Sequence, residues 1–201
     1  DIRCRWLVSA LLDAHGTQIL YERTVDLLNF PDYASLPIGI LSLSETYQEP
    51  LMWSHYSSGH TGFALGFEST DCFFTSKAFG RRDRVKPVTY VDAPLVISAL
   101  EIAQIFERFF VKSCHWSYEK EWRVLKPLGE ATQLVEIQPF SVHLFDFPPR
   151  ALREVILGNR VSCALERQVT DVLKKPYLGH VELYKMYPSA DSYNYERRGP
   201  L

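Results

Sequence analysis

Glu119-x-Glu121 sets two carboxylates one residue apart, immediately before Trp122 and Arg123. Carboxyl groups that approach each other split their pKa values, which suits an acid, a base or a stabiliser of developing positive charge. If this stretch enters a strand in extended form, residues 119 and 121 share one face and Lys120 takes the other. A second concentration of chemistry lies upstream, in Leu51-Met-Trp-Ser-His-Tyr56 and the following Ser-Ser-Gly-His60. Imidazoles titrate near neutral pH and phenols donate hydrogen bonds, so His55 and Tyr56 suit proton transfer or recognition of a polar ligand. Ser42-x-Ser44 closes an apolar run, and its hydroxyls can position a ligand. Each feature also has a plainer reading. The Glu pair can be a salt-bridged strand end with Arg123 as partner. Trp53 and Tyr56 can be core aromatics, His55 can bond a carbonyl, and the serines can cap the next helix.

Lys77, Arg81, Arg82 and Arg84 form a basic cluster, diluted by Asp83, that could grip phosphate or nucleic acid. More often such a run is a solvated loop. His55 and His60 are spaced i, i+5 rather than the i, i+4 of a helical metal pair, and Cys72 and His115 show no ligand spacing, so no metal is predicted. Metal-assisted hydrolysis by His55, His60 and Glu121 stands as a third alternative. The chain has no Gly-rich phosphate loop and no G-x-S-x-G elbow.

These groups need a scaffold. The 201 residues are 46% hydrophobic and 13% aromatic, enough for one substantial core, and the net charge of -2 gives no global attraction to nucleic acid or anionic membrane. One α+β domain is expected over 1–187, followed by a polar tail over 188–201. Cys4, Cys72, Cys114 and Cys163 contain no C-x-x-C pair and read as buried, reduced thiols of a cytoplasmic protein. No apolar run reaches membrane-spanning length, and no signal peptide is expected. The chain opens on Asp1 rather than Met, so an incomplete N-terminal region is expected.

Periodicity assigns helices to Arg5–Leu12 and Ile19–Leu28, and a strand to Ile38–Ser44. Thr46-x-x-Glu49 resembles a capping box opening a short helix through Tyr56. Strands follow over Thr61–Phe67 and Val85–Val91, with a loop over Asp71–Arg84 between them. Asp92 and Pro94 open a helix over Leu95–Val111, and His115–Glu121 is a polar, aromatic junction. Trp122–Leu125, Gln133–Ile137, Val155–Leu157 and His180–Met186 read as strands, and Ser162 caps a helix to about Lys174. Without a strict βαβ repeat, the class is α+β: a mixed, mostly antiparallel sheet with flanking helices.

The order Ser-Leu-Ser-Glu45, Leu-Met-Trp-Ser-His-Tyr56, His60-Thr-Gly-Phe-Ala-Leu-Gly-Phe67, Trp116-Ser-Tyr-Glu-Lys-Glu-Trp-Arg123 and Glu154-Val-Ile-Leu-Gly-Asn-Arg160 resembles the bacterial family of unknown function DUF 2971 across roughly Ile38–Tyr187. The family's usual opening, a Tyr/Lys/Arg-rich strand and an Asn-Asp-Pro-Phe-type segment, is absent. A second resemblance is to ADP-ribosyltransferases of the arginine-type lineage, which carry a Ser-x-Ser at a strand end and a Glu-x-Glu before a later strand. That resemblance implies NAD as substrate. Glu121 would be the catalytic carboxylate, Glu119 would orient the acceptor, and His55 or Tyr56 would contact the nicotinamide ribose or ring. Ser42, Ser44, Trp53 and His60 would complete the cofactor side. A toxin or phage-defence role is what such families imply. The alternative is a non-catalytic module that binds a nucleotide, nucleic acid or protein through Trp53, Tyr56, Trp116, Tyr118 and Trp122.

Overall fold

β5 (Phe63–Glu68) and β12 (Leu152–Leu157) carry runs of buried residues, as strands covered on both faces must. In a computed structural model of the chain, which describes residues 4–7, 11–12, 18–19, 38–75, 85–94, 107–137 and 140–201, these two strands pair at the middle of the main sheet. Among the described residues that sheet has eight strands. Beyond β12 come β13 (Glu182–Pro188) and the edge strand β14 (Tyr195–Arg198). Beyond β5 come β1 (Cys4–Leu7), β4 (Ile38–Ser44), β9 (Glu121–Pro127) and β6 (Val85–Pro87). All neighbours are antiparallel except β12 and β13, whose crossover carries α3 (Cys163–Leu173). The architecture is α+β with a mostly antiparallel sheet, as the element pattern predicts.

Alternation along the strands makes two cores. Phe63, Leu65 and Phe67 of β5 join Leu43, Val124, Val155 and Leu157 under Val169 of α3 and Phe74 of α2 (Cys72–Thr75). Ala64 and Ile156 point the other way and join Met186 beneath Met52 and Trp53 of α1 (Pro50–Tyr56). Phe109, Phe110 and Leu125 form a third cluster, with Ile38 and Ile40 packed against it.

Smaller pairings complete the described structure. These are β2 (Leu11–Leu12) with β3 (Gln18–Ile19), the parallel β7 (Thr89–Val91) with β8 (Val111–Ser113), and the hairpin β10 (Gln133–Ile137) with β11 (Phe140–Leu144).

The strand at Ile38–Ser44 and the helix capped by Ser162 fall where the pattern places them, with the Ser162 hydroxyl accepting from the amide of Leu165. Three assignments are corrected. The described residues of Arg5–Leu12, 5–7 and 11–12, are β-strand, and β1 lies between β4 and β5, because strand partners on both sides outweigh a weak local helical pattern. Ile19 is also in a strand, whereas 20–28 lie outside the described residues. Val111 begins β8 rather than ending a helix; 95–106 lie outside the described residues. The cap of α1 is Glu49 itself, whose side chain accepts from the Leu51 amide, with Pro50 in the first turn. The tail beyond 188 adds an edge strand to β13.

Gly158 terminates β12 where the backbone crosses the turn after α1. A Cβ there would lie 2.2 Å from the His60 carbonyl oxygen and 2.9 Å from that of Gly62. Both obstacles are backbone, so neither can rotate away. Gly158→Ala is therefore expected to destabilise the fold by about 3 kcal/mol or more, read as a lowered denaturant midpoint.

Candidate active site

Ser44 stands opposite Glu121, and Ser42 opposite Arg123, across the β4–β9 ladder. Strand pairing therefore joins the Ser-x-Ser and the Glu-x-Glu despite their separation in sequence. The carboxylates do not approach each other by strand alternation, as expected from their spacing. Glu119 ends a 3-10 turn over Cys114–Glu119, and Lys120 then takes the left-handed conformation at φ 44° and ψ 50°. That single residue turns the chain so that β9 begins at Glu121. Both carboxylates are buried, at 3% exposure for Glu119 and 5% for Glu121.

Burial of two carboxylates is costly unless cations and donors accompany them. Lys112 of β8 supplies one cation. Its ammonium bonds Glu119 Oε2 and lies 2.9 Å from Glu121 Oε2. Arg123 supplies the other. Its Nε donates to Glu121 Oε1 at 2.8 Å and one terminal nitrogen to Oε2 at 3.2 Å, while the other donates to the Phe109 carbonyl at 2.7 Å. Tyr56, from the last turn of α1, donates its hydroxyl to Glu119 Oε1 at 2.7 Å. Ser44 fixes the backbone here by donating to the Glu119 carbonyl at 2.7 Å, and the Glu121 amide donates to the Tyr90 hydroxyl at 2.7 Å.

The electrostatics follow from these contacts. Burial by itself raises the Glu121 pKa, but hydrogen bonding and charge from Arg123, joined by hydrogen bonds from Ser42 and Lys112, outweigh it and hold the group below its ordinary value. Glu121 is thus ionised at neutral pH. Burial first, then the hydrogen bond and charge of Glu119, push the Tyr56 phenol far above its usual range, so it stays a proton donor. Tyr90 is likewise raised, mainly by burial.

Outside this buried network lies an aromatic rim. Trp116 and Tyr56 are 38% and 37% exposed, and His55 is exposed beside both, edge-on to each ring at 6.2 Å. The Lys112 ammonium lies 5.1 Å from the centre of the Trp116 ring, linking rim to network.

The structure thus brings together Ser42, Ser44, Tyr56, Glu119 and Glu121, with His55 at the rim. Trp53 is elsewhere: it is fully buried, and its indole nitrogen donates to the Tyr47 carbonyl at 2.6 Å. Trp122 is half-buried against the first core, and its indole nitrogen donates to Glu45. His60 adopts a left-handed φ of 70°, stands edge-on to Tyr195 at 5.5 Å, and has its pKa lowered by burial and then by Arg160. Lys77, Arg81, Arg82 and Arg84 lie outside the described residues. Among the described residues, no group of three His, Cys, Asp or Glu could hold a metal ion. No helix among them is long and apolar enough to cross a membrane. The buried thiols expected from composition are corrected for Cys72 and Cys163, which are exposed. Sequence reasoning missed Lys112 and Tyr90, since nothing local marks a lone Lys or Tyr on a three-residue strand as a partner of a distant Glu.

Residues 52–124 match a family model described as a protein of unknown function, DUF2971. The matched segment runs from Met52 within α1 through the 3-10 turn to Val124 of β9, and so contains Tyr56, Lys112, Glu119, Glu121 and Arg123. The chain resembles that family there, and the family's description carries no reaction. No curated protein and no solved structure matches the chain.

Lys112→Met leaves two buried carboxylates facing each other with Arg123 alone to balance them. The variant should lose about 3 kcal/mol at pH 7, the scale for breaking a buried pair. Like charges without their shared cation retain one proton to higher pH. A carboxyl whose pKa is raised by folding binds more protons when folded, so stability falls as pH rises above the ordinary carboxylate value of about 4.3. In the parent protein the lowered Glu121 has the opposite sign: its contribution is full above that value and is lost on acidification. Denaturation midpoints from pH 4.5 to 7 should therefore diverge between the two proteins as pH rises.

Proposed function

We propose that this protein is an enzyme acting on a nucleotide. Its most concrete form is cleavage of the nicotinamide–ribose bond of NAD, with transfer of the ADP-ribosyl group to an acceptor or to water. The observation that supports this reading is the meeting of Ser42, Ser44, Tyr56, Glu119 and Glu121 in one hydrogen-bonded network around two buried carboxylates, with an aromatic rim. On this reading the bond from ribose C1 to the ring nitrogen breaks, and its electron pair leaves on neutral nicotinamide. The acceptor then bonds C1 and releases its proton to solvent.

Glu121 stabilises the positive charge that builds on the sugar, a role that needs the ionised form its lowered pKa provides. Glu119, held by Tyr56, orients the acceptor. His55 and Trp116 offer ring faces to the nicotinamide. For Glu121 to face the sugar, Lys112 must withdraw from its Oε2. A bacterial cytoplasm, in a toxin or phage-defence setting, is part of the same proposal.

One observation favours a second reading, a non-catalytic module that binds a nucleotide, nucleic acid or protein. Both Glu121 oxygens already accept from Arg123, and Oε2 also accepts from Lys112. There the ion network is purely structural and the exposed Trp116, Tyr56 and His55 form the binding face.

Incubation with labelled NAD separates the two. The enzyme reading expects turnover that falls roughly a hundredfold or more in Glu121→Gln, with nucleotide affinity retained. Absence of turnover, or equal turnover by both proteins, overturns it. Nucleotide binding without turnover, lost in Trp116→Ala, selects the binding module.

A further inference from the structure

α1 is seven residues long, too short to hold a helical shape by its own hydrogen bonds. Its placement, and with it the position of Tyr56, depends on what grips its two ends. β14 touches both. On the segment that enters α1, the Gln48 carbonyl accepts from the Tyr195 amide at 2.9 Å. In the turn that leaves α1, His60 stands edge-on to the Tyr195 ring at 5.5 Å, and the His60 amide donates back to the Trp53 carbonyl at 3.2 Å. Tyr195 is itself held at its hydroxyl, which accepts from Asn159 Nδ2 at 3.4 Å.

Arg197 lies two residues along β14 and so shares the face of Tyr195. Its guanidinium bonds the buried Glu154 of β12 and lies over two rings, with its central carbon 4.4 Å from the centre of Tyr184 and 5.2 Å from that of Tyr47. Tyr184 belongs to β13. Tyr47 belongs to the segment entering α1, and its carbonyl accepts from the Trp53 indole of α1 at 2.6 Å. A planar cation held by a carboxylate and two aromatic faces has a fixed direction that a Lys ammonium lacks. Contacts therefore run from Glu154 through Arg197 and Tyr47 to Trp53, that is, from the middle of the sheet to the helix that carries Tyr56. Arg198 alternates to the opposite face, where it lies 4.6 Å from the Tyr187 ring centre and pairs with Glu196.

We propose that β14 is a clasp on α1 and that Arg197 is a positioning residue for the candidate site, setting through Tyr47 the reach of Tyr56 to Glu119. The inference rests on the geometry of the ion network and not on NAD chemistry. The Tyr56 hydroxyl meets Glu119 Oε1 at 2.7 Å, and a hydrogen bond weakens steeply as its partners misalign, so a small tilt of α1 loosens it. Burial first, then the hydrogen bond and charge of Glu119, keep the Tyr56 phenol protonated. A tilt outward weakens all of these together, which gives the clasp its own signature.

The test follows the Cζ resonances of labelled tyrosine in the full chain, with Tyr56 assigned through Tyr56→Phe. The titration runs from about pH 8 to about pH 12, around the ordinary tyrosine value, with far-UV circular dichroism confirming the fold at each step. In the parent, Tyr56 should remain protonated where the exposed Tyr193 ionises. Arg197→Lys keeps a cation beside Glu154 but cannot lie flat on Tyr47, so Tyr56 should ionise lower by about one pH unit or more. Tyr47→Leu leaves the Arg197–Glu154 pair in place and should give the same shift, which keeps the link measurable if Arg197→Lys fails to fold. The double variant should shift no further than either single one, because both cut the same link. Arg198→Lys, on the same strand, should follow the parent. A Tyr56 titration unchanged in both Arg197→Lys and Tyr47→Leu, shifts that add in the double variant, or an equal shift in Arg198→Lys overturns the proposal. None of these outcomes depends on NAD turnover.

Discussion

Two carboxylates buried at the first turn of β9 require positive charge beside them, and much of the site's architecture is the supply of that charge. Lys112 arrives on β8, a three-residue strand that exists because β7 pairs with it. Arg123 arrives two residues along β9 and is itself anchored on the Phe109 carbonyl of the third core cluster. Tyr56 arrives at the last turn of α1, whose other face buries Met52 and Trp53 on the sheet. The demand for neutralisation thus ties together a helix, a small parallel ladder and the main sheet. Removal of any one donor leaves a charge in a medium that solvates it poorly.

The two cations differ in how firmly they are held. Arg123 is fixed by three donors to a carboxylate and a carbonyl, whereas the Lys112 ammonium meets two carboxylates and a ring on a flexible stem. That asymmetry matters for chemistry at Glu121: Arg123 holds the carboxylate ionised, and Lys112 is the group that can yield its place. Glu154 shows the balance falling the other way. Burial first, joined by the like charge of Glu182, raises its pKa, and the charge and hydrogen bond of Arg197 only partly offset them. The two buried glutamates respond to pH in opposite senses because the donors around them differ, not because their residue type does.

The sheet also separates two environments along one strand. β9 presents Glu121 and Arg123 toward α1 and the aromatic rim, and Trp122, Val124 and Lys126 toward the core under α2 and α3. A seven-residue strand therefore serves an acidic network on one face and a buried ammonium on the other. Period-2 alternation makes this possible, since neighbouring residues never compete for the same side.

Some of this was legible in the residues themselves. The apolar run at Ile38–Ser44, the helix capped by Ser162, the crowding around His55 and Tyr56, and the Glu119–Glu121 pair all declare themselves through short-range pattern, because turn chemistry and periodicity act over a few residues. Pairing across the sheet is not short-range. The strand at Cys4–Leu7 reads as helix until β4 and β5 flank it, and Trp53 reads as a ligand contact until Ile156 and Met186 close over it. The residue that neutralises the carboxylates, Lys112, sits on a segment with no signal of its own. Its role comes from where β7 and the turn at Lys120 place it. The sequence by itself determined which residue types were available for chemistry and the α+β class. Only the tertiary structure decided which charges share one buried site, because the cost of burying a charge is set by the partners that long-range pairing brings to it.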